Sequence, residues 1–347
     1  MKCVQASKFG NIDTVLTLAT DKPRPTISPS GGQMLIRVEA CSLNPLDCYM
    51  LSGECSQVVR PPSFPYIPGM GVCGVVEDIA KAAKFKVGDR VIASTGLTPV
   101  GGLAEYMAAS IDNADLAPVN VDAISAAALP NSAMTAMLIL RRARVTAGER
   151  VMVLGGSGGV GTALVQLVKS AGASFIATTS TVEPLMRSLG ADMVIDYRTT
   201  KWWEKTEFKE EPFDLVLDCV GWRDEWPKAA RHGTLKPGLE GGRYLTITTT
   251  DKPKIRNACD AAQAVIPALW RMMWTAVAPW KPRYEFLAPR TTIDDWPQLT
   301  NLVETKVLKP VLDPASPFPF TIDGVKRAFE LQASKHAHGK VVIKMQS

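Results

Sequence analysis

Gly155-Gly156-Ser157-Gly158-Gly159-Val160-Gly161 is the stretch whose surroundings decide the fold. Before it runs Arg150-Val151-Met152-Val153-Leu154, a short apolar segment of strand character. After it comes Thr162-Ala163-Leu164-Val165-Gln166-Leu167-Val168-Lys169, apolar at helical spacing. Strand, glycine turn and helix together are the context that a dinucleotide-binding loop requires. Glycines let the backbone turn tightly and approach a pyrophosphate, whose charge then sits at the positive end of the helix.

The unit continues in the same rhythm. Ser174–Thr179 reads as a second strand, Val182–Leu189 as a short helix closed by Gly190, and Met193–Asp196 as a third strand. Phe213–Gly221 and Gly242–Ile247 follow as the fourth and fifth, the latter introduced by the turn Lys236-Pro237-Gly238. Strands alternating with helices predict a doubly wound parallel sheet of Rossmann type, covered on both faces.

The tip of the second strand bears on the cofactor. NAD-preferring sites place Asp or Glu there to hold the ribose 2′-hydroxyl. Here it reads Thr178-Thr179-Ser180-Thr181, so a 2′-phosphate would meet hydroxyls instead of a repelling charge. Tyr197-Arg198 offers a ring for adenine and a cation for the phosphate. The same hydroxyls could simply cap the next helix. The missing acid favours NADPH.

The chain has 347 residues, long enough for two domains, and 46% hydrophobic content supplies two cores. Its 39 basic and 34 acidic residues give a net charge of +5, too mild and too dispersed for a dedicated nucleic-acid binder. Arg141-Arg142-Ala143-Arg144, the one tight basic run, reads as a solvated helix end. No apolar run is long enough to span a bilayer, and Met1-Lys2-Cys3-Val4-Gln5-Ala6 reads as entering a strand directly, without a signal segment. The expected location is cytoplasmic, or mitochondrial or plastid if a presequence has been removed, and not secreted. The seven cysteines include no C-x-x-C pair, and His232, His336 and His338 lie far from them in sequence, so reduced thiols and no metal site are expected.

The amino-terminal third differs in character. Met34–Ala40, Gly74–Ile79 and Asp89–Ala93 are short strands separated by Pro and Gly turns, which suggests a compact β-barrel-like domain. Gly339–Lys344 is a further strand, expected to return to it.

Several motifs carry a resemblance along nearly the whole chain. They are Cys41-Ser42-Leu43-Asn44-Pro45-Leu46-Asp47, Phe64-Pro65-Tyr66-Ile67-Pro68-Gly69, Val87-Gly88-Asp89-Arg90-Val91 and Gly101-Gly102-Leu103-Ala104-Glu105-Tyr106. Ala127-Ala128-Leu129-Pro130, the glycine loop, Leu189-Gly190-Ala191-Asp192 and Gly339-Lys340 complete the set. The chain thereby resembles the medium-chain dehydrogenase/reductases, in their zinc-free quinone oxidoreductase branch. Its loop and C-terminal segment are similar to those of the mitochondrial, reticulon-interacting NADPH oxidoreductases. Zinc-bearing relatives follow the glycine with His-Glu, where this chain has Met70-Gly71.

The resemblance implies a GroES-like substrate domain over residues 1–125 and 311–347, formed by both chain ends, around a Rossmann domain over 126–310. It implies that Gly155, Ser157, Gly158, Gly159 and Val160 hold the pyrophosphate of NADPH, and Ser180 with Tyr197 the adenosine end. Cys219, Thr246 and Thr248 would line the nicotinamide ribose. Asn44, Tyr49 and Thr135 would frame the nicotinamide and the substrate mouth, with Asn44 and Tyr49 the catalytic candidates. Read by themselves, Asn44 could stabilise the turn before Pro45 and Tyr49 could be half-buried packing. Many relatives carry a Lys just after the second strand, and Val182 stands there, so discrimination against NADH is expected to be modest.

The implied activity is zinc-independent hydride transfer from NADPH to a quinone or another electron-poor carbonyl or enone, with Tyr49 or a water as proton donor. Without a Lewis acid, plain alcohol oxidation is disfavoured. Enoyl-thioester reduction is an alternative, against which stands Gly53-Glu54-Cys55-Ser56, where such reductases carry a Tyr. A third is an NADPH-binding scaffold acting through protein partners. Ile266–Trp280, rich in Trp and Met, would then be a partner or peripheral membrane contact, or else a helix packed over a cleft or a dimer interface. A homodimer joined at a sheet edge near Tyr284–Ala288 is expected.

Overall fold

The computed structural model describes residues 1–28, 31–57, 60–80, 84–96, 101–221, 224–248, 257–288 and 295–345. The chain divides into two compact units, one of Met1–Met134 with Thr291–Ser347, the other of Thr135–Arg290.

The second unit holds a six-stranded, all-parallel sheet. Across the sheet the strands run Met193–Ile195, Phe175–Thr179, Arg150–Leu154, Leu215–Asp218, Arg243–Thr246 and Arg283–Phe286. In chain order that is third, second, first, fourth, fifth, sixth, the doubly wound arrangement whose switch point lies beside the first strand. The strands are buried on both faces: Val151, Met152, Val153 and Leu215, Val216, Leu217 are wholly or almost wholly out of solvent. That explains why they read as continuous apolar runs, not alternating ones. Aromatic residues fill one side, where Trp202, Phe208 and Phe213 meet edge to face and Tyr244 stacks on Tyr284 at 5.9 Å. Arg283–Phe286 lies at the sheet edge.

The Trp-rich segment lies in a 20-residue helix, Ala258–Val277. Trp270 stacks on Trp274, which meets Trp226 edge-on. Arg271, the only charged residue between Asp260 and Lys281, turns inward to form two hydrogen bonds with Asp224, at 2.7 and 3.2 Å. The opposite side exposes Ile266, Leu269, Trp270, Met273 and Val277, and Trp280 just beyond is exposed too. Among the described residues no helix is long and apolar enough to cross a membrane.

The first unit is built on a seven-stranded mixed sheet around Gln33–Ser42. This strand pairs along one side with Gly71–Ile79 and divides its other side between two partners. Gln33–Arg37 takes Tyr106–Ser110, and Ala40–Ser42 takes Val342–Lys344 from the chain's far end. Buried Ile343 stands opposite Cys41, in a core that includes Leu43, Met50, Phe320 and Phe329.

Ile343→Ala should remove a fully enclosed side chain from this seam. We expect a loss of about 3 kcal/mol, the range for such truncations, as a lowered urea midpoint in the first unit. An unchanged midpoint would show that the returning strand is not part of the unit's cooperative core.

Candidate functional site

In the second unit the candidate residues gather at the carboxyl ends of the parallel strands, the rim where open α/β sheets hold ligands. The glycine loop leaves the Arg150–Leu154 strand and enters the helix Gly159–Ser170, whose N-cap is Gly158 with no side chain capping it. Gly155 turns with φ +76°. A Cβ on Gly156 would lie 2.0 Å from Thr178 Oγ1, and one on Gly161 would lie 2.2 Å from the Gly155 carbonyl oxygen. The glycines are therefore demanded by close packing of strand, loop and helix. Ser157 is nearly buried in that loop, and Gly159 and Val160 begin the helix.

The second-strand hydroxyls divide their duties. Thr178 Oγ1 donates to the Val153 carbonyl at 2.8 Å, and Thr179 Oγ1 accepts the Gly155 N–H at 2.8 Å. Both tie the strand to the glycine loop, a difference from the expectation that the whole Thr-Thr-Ser-Thr tip faces a phosphate. Ser180 is buried and accepts the Val182 N–H at 3.0 Å, a local turn contact two residues on, so its own hydroxyl proton is left to donate. Tyr197 is half-buried just past the third strand. Arg198 is clasped by the Asp196 carboxylate, with contacts of 2.6 and 2.9 Å. That pairing holds Asp196 down at about 2 and occupies the cation expected to reach outward.

The fourth strand adds a residue that the sequence did not single out. Buried Asp218 accepts the Tyr244 hydroxyl at 2.6 Å and the N–H groups of Val220 and Gly221 at 2.8 Å each. It thus fixes the loop that carries Cys219, whose Cβ lies 3.9 Å from where Gly155 would carry one. Burial raises the Cys219 thiol, so it stays neutral. Thr246 Oγ1 donates to the Thr248 carbonyl at 3.1 Å, while the buried Thr248 Oγ1 has no partner. Thr135 is half-buried on the helix Ser132–Ala143.

In the first unit, Asn44 is the N-cap of the helix Pro45–Ser52, which also carries Tyr49. The Asn44 backbone N–H donates to Asp47 Oδ2 at 2.8 Å, and Asp47 Oδ1 accepts the Gly69 N–H at 3.0 Å. Lys340, only 4% exposed, donates to the Leu43 carbonyl at 2.7 Å and to Asn44 Oδ1 at 2.8 Å. Burial pushes Asp47 up to about 6 despite its two N–H donors, and pulls Lys340 down to about 8 against the attraction of Asp47. Tyr49 is half-buried with the Lys335 ammonium 5.8 Å from its ring centre, and burial raises its phenol, which stays protonated at neutral pH. Among the described residues no three His, Cys, Asp or Glu side chains converge to hold a metal.

Asp47 and Lys340 were legible only as letters within motifs. A lysine two residues before an apolar strand carries no sequence signal of burial, and its partners lie 296 and 297 residues away.

Comparison with known proteins agrees with this geometry. Residues 30–120 match the alcohol dehydrogenase GroES-like domain and residues 189–343 the zinc-binding dehydrogenase domain. The chain is 35% identical to the chloroplastic NADPH-dependent alkenal/one oxidoreductase of Arabidopsis thaliana, over 99% of this chain and 79% of that protein. It is 30% identical to the mitochondrial NAD(P)H oxidoreductase RTN4IP1 of Danio rerio, over 97% and 89%. The solved quinone oxidoreductase of Thermus thermophilus, also known in complex with NADPH, superposes with a TM-score of 0.69 at 27% identity, covering 99% of this chain and all of that one.

The pair Asp47 and Lys340 sets a pH signature. Native Asp47 retains its proton up to about 6, whereas the unfolded carboxyl loses it near 3.8, so this group's stabilisation drains away across that window. Native Lys340 loses its proton near 8 and the unfolded amine near 10.5, so stability is regained as pH rises between them. Relative to an Asp47→Asn, Lys340→Met double variant, the wild type should therefore show a stability minimum between about pH 6 and 8. A difference curve flat from pH 4 to 10 in thermal melts would remove the pair as buried charges.

Proposed function

The chain belongs to the medium-chain dehydrogenase/reductase family, in its quinone oxidoreductase branch, and from that premise we propose that it is a zinc-independent reductase using NADPH to reduce enones and quinones. The observation that carries the reading is the glycine cradle of the second unit, with no carboxylate at the end of the second strand. Gly156 and Gly161 fit a dinucleotide because any side chain there would fill the loop from behind and push its backbone out of place. The backbone of Ser157–Val160 would hold the pyrophosphate at the helix N-terminus. Ser180 would donate to the 2′-phosphate, with Tyr197 beside the adenine. Thr246, Thr248 and Cys219 would stand at the nicotinamide ribose.

When bound, NADPH supplies the hydride, and the protein's part is placement and charge. As the acceptor takes hydride, negative charge grows on its carbonyl oxygen. Tyr49, held protonated by burial, is the proposed proton donor. Zinc independence rests on the donor set: Met70-Gly71 and Asn44 offer no ligand cluster. The relatives' activity on alkenals, alkenones and quinones supports the acceptor class.

A second reading, a nucleotide-binding protein that works through protein partners, is favoured by the uncovered apolar side of Ala258–Val277. An intact nucleotide site without turnover on any acceptor would move the assignment there.

NADPH and NADH oxidation, followed by nicotinamide absorbance with phenanthrenequinone, a benzoquinone, an alkenone and an enoyl thioester, tests the proposal. The alkenone and quinones should turn over, faster with NADPH than with NADH, and the thioester should not. NADH equal to NADPH would sink the Ser180 assignment. Tyr49→Phe should leave the NADPH dissociation constant unchanged and reduce turnover about 100-fold, the low end for a lost general acid; unaltered turnover removes Tyr49 from the mechanism.

A further inference from the structure

The long helix Ala258–Val277, which lies wholly in the second unit, carries a surface that the nucleotide site leaves unused. Ile266, Leu269, Trp270, Met273 and Val277 recur at spacings of three and four, so they form one stripe along the helix. At 1.5 Å per residue the stripe is about 16 Å long, and exposed Trp280 extends it past the helix end. Leu239 joins it there: its N–H donates to the Pro279 carbonyl at 2.8 Å, and the residue is 75% exposed. Between Ile266 and Trp280 every exposed residue is apolar, Pro267, Ala276 and Pro279 included.

The inner side of the helix is anchored. Arg271, with its side chain 16% exposed, pairs with Asp224 at 2.7 Å, and its guanidinium lies 4.8 and 5.0 Å from the ring centres of Trp226 and Tyr284. Thr275 Oγ1 accepts the Tyr284 N–H at 3.1 Å. The outer stripe is therefore held as a fixed ridge. Val277 and Met273, at 74% and 67% exposure, project from it instead of lining a groove.

A second copy, a different protein and a lipid bilayer compete to cover such a ridge. The stripe and Trp280 together expose on the order of 600 Å², short of the roughly 1,000 Å² per subunit at which obligate dimer interfaces begin. Protein interfaces also carry about one hydrogen bond per 100–200 Å². Here the indole N–H groups of Trp270 and Trp280 are the only polar side-chain groups among the exposed residues. A bilayer needs no such bonds.

Charge points the same way. Between Asp260 and Glu285 the chain has no carboxylate and three cations, Arg271, Lys281 and Arg283. Arg271 is turned inward, so no charge on the ridge itself has to leave water. Lys281 and Arg283 follow directly on Trp280. Glu285 is shared between Arg283 at 3.2 Å and Arg142 at 2.8 Å, which leaves positive charge in excess, and exposed Glu240 beside Leu239 offsets part of it. Apolar side chains would enter the acyl boundary, with indoles at headgroup depth and cations at the phosphates.

We propose that the Ile266–Trp280 ridge is a membrane-contact surface, by which the protein docks in the plane of a bilayer containing anionic phospholipid. The helix lies on the bilayer and does not cross it. Docking does not require the reductase activity proposed above; for such a reductase it would shorten the path to apolar quinones and alkenones, which partition into the same phase.

Sedimentation of the whole chain with vesicles of phosphatidylcholine, alone or mixed with phosphatidylserine, tests this. The wild type should bind, more tightly to the mixed vesicles, with its tryptophan emission shifted to the blue as exposed indoles leave water. Met273→Glu with Val277→Glu should lower the partition coefficient at least about tenfold, with circular dichroism and thermal melt unchanged because both positions are exposed. Lys281→Gln should weaken binding to the mixed vesicles about fivefold, the contribution of one cation at an anionic surface, and leave binding to phosphatidylcholine as it was. Failure of the wild type to bind either vesicle overturns the proposal, as does a double variant that binds as well as the wild type. An oligomer in analytical ultracentrifugation that ignores vesicles and is broken by the double variant would assign the ridge to a second copy instead.

Discussion

The first unit depends on three residues of backbone pairing between its two sequence segments. Val342–Lys344 lies antiparallel to Ala40–Ser42, and Val342 opposite Ser42 sets everything upstream of it. With that register, Leu43 donates to Val341, and Lys340 arrives at Leu43 and Asn44. A slip of one residue would exchange the two buried faces that Val342 and Ile343 occupy and carry the lysine away from its acceptors. The pairing is short, so its strength comes from enclosure more than from the ladder: Val341, Val342 and Ile343 are fully buried. Apolar burial thereby holds in place a charge that would otherwise seek water, and Asp47 and two carbonyl acceptors offset part of its desolvation.

The second unit solves its problem by the opposite means. Its rim is made of backbone turns at the ends of parallel strands, and side chains there mostly fasten one turn to the next. Thr178 and Thr179 bind the second strand to the first, and Asp218 gathers Tyr244, Val220 and Gly221 into one knot. Glycine is needed at 156 and 161 because neighbouring atoms already occupy the space of a Cβ. Such a rim presents N–H groups in fixed directions and needs little side-chain entropy to do so.

This contrast explains what could be read from the sequence. The parallel sheet was legible because its strands are local apolar runs joined by glycine turns, and its parallel, doubly wound character followed from alternation with helices; the strand order came only from the structure. The barrel-like β character of the amino-terminal third and the return of the last strand were legible for the same reason. The use of individual polar atoms was not. Thr178 and Ser180 sit two residues apart in one tip and are both buried, and only their partners tell them apart: Thr178 donates to the Val153 carbonyl, whereas Ser180 accepts the Val182 N–H. Arg198 reads as a free cation until Asp196 is seen to hold it. Lys340 acts through partners 296 and 297 residues away, and Asp218 ties its own loop to Tyr244 on the next strand, which no local pattern encodes.

The same distinction bears on cofactor choice under the proposed function. A lysine after the second strand would recognise a 2′-phosphate by charge, and Val182 supplies none. With Arg198 committed to Asp196, the tip offers Ser180 as a neutral donor and lacks a carboxylate that would favour a free ribose. Preference then arises mainly from what is absent: no negative charge opposes the phosphate, and no acceptor rewards the bare 2′-hydroxyl. A neutral donor to a charged acceptor contributes about 1.5–3 kcal/mol before the phosphate's own desolvation is subtracted. Under the proposed function the expected preference for NADPH is bounded, because the donor assigned to the phosphate, Ser180, carries no charge.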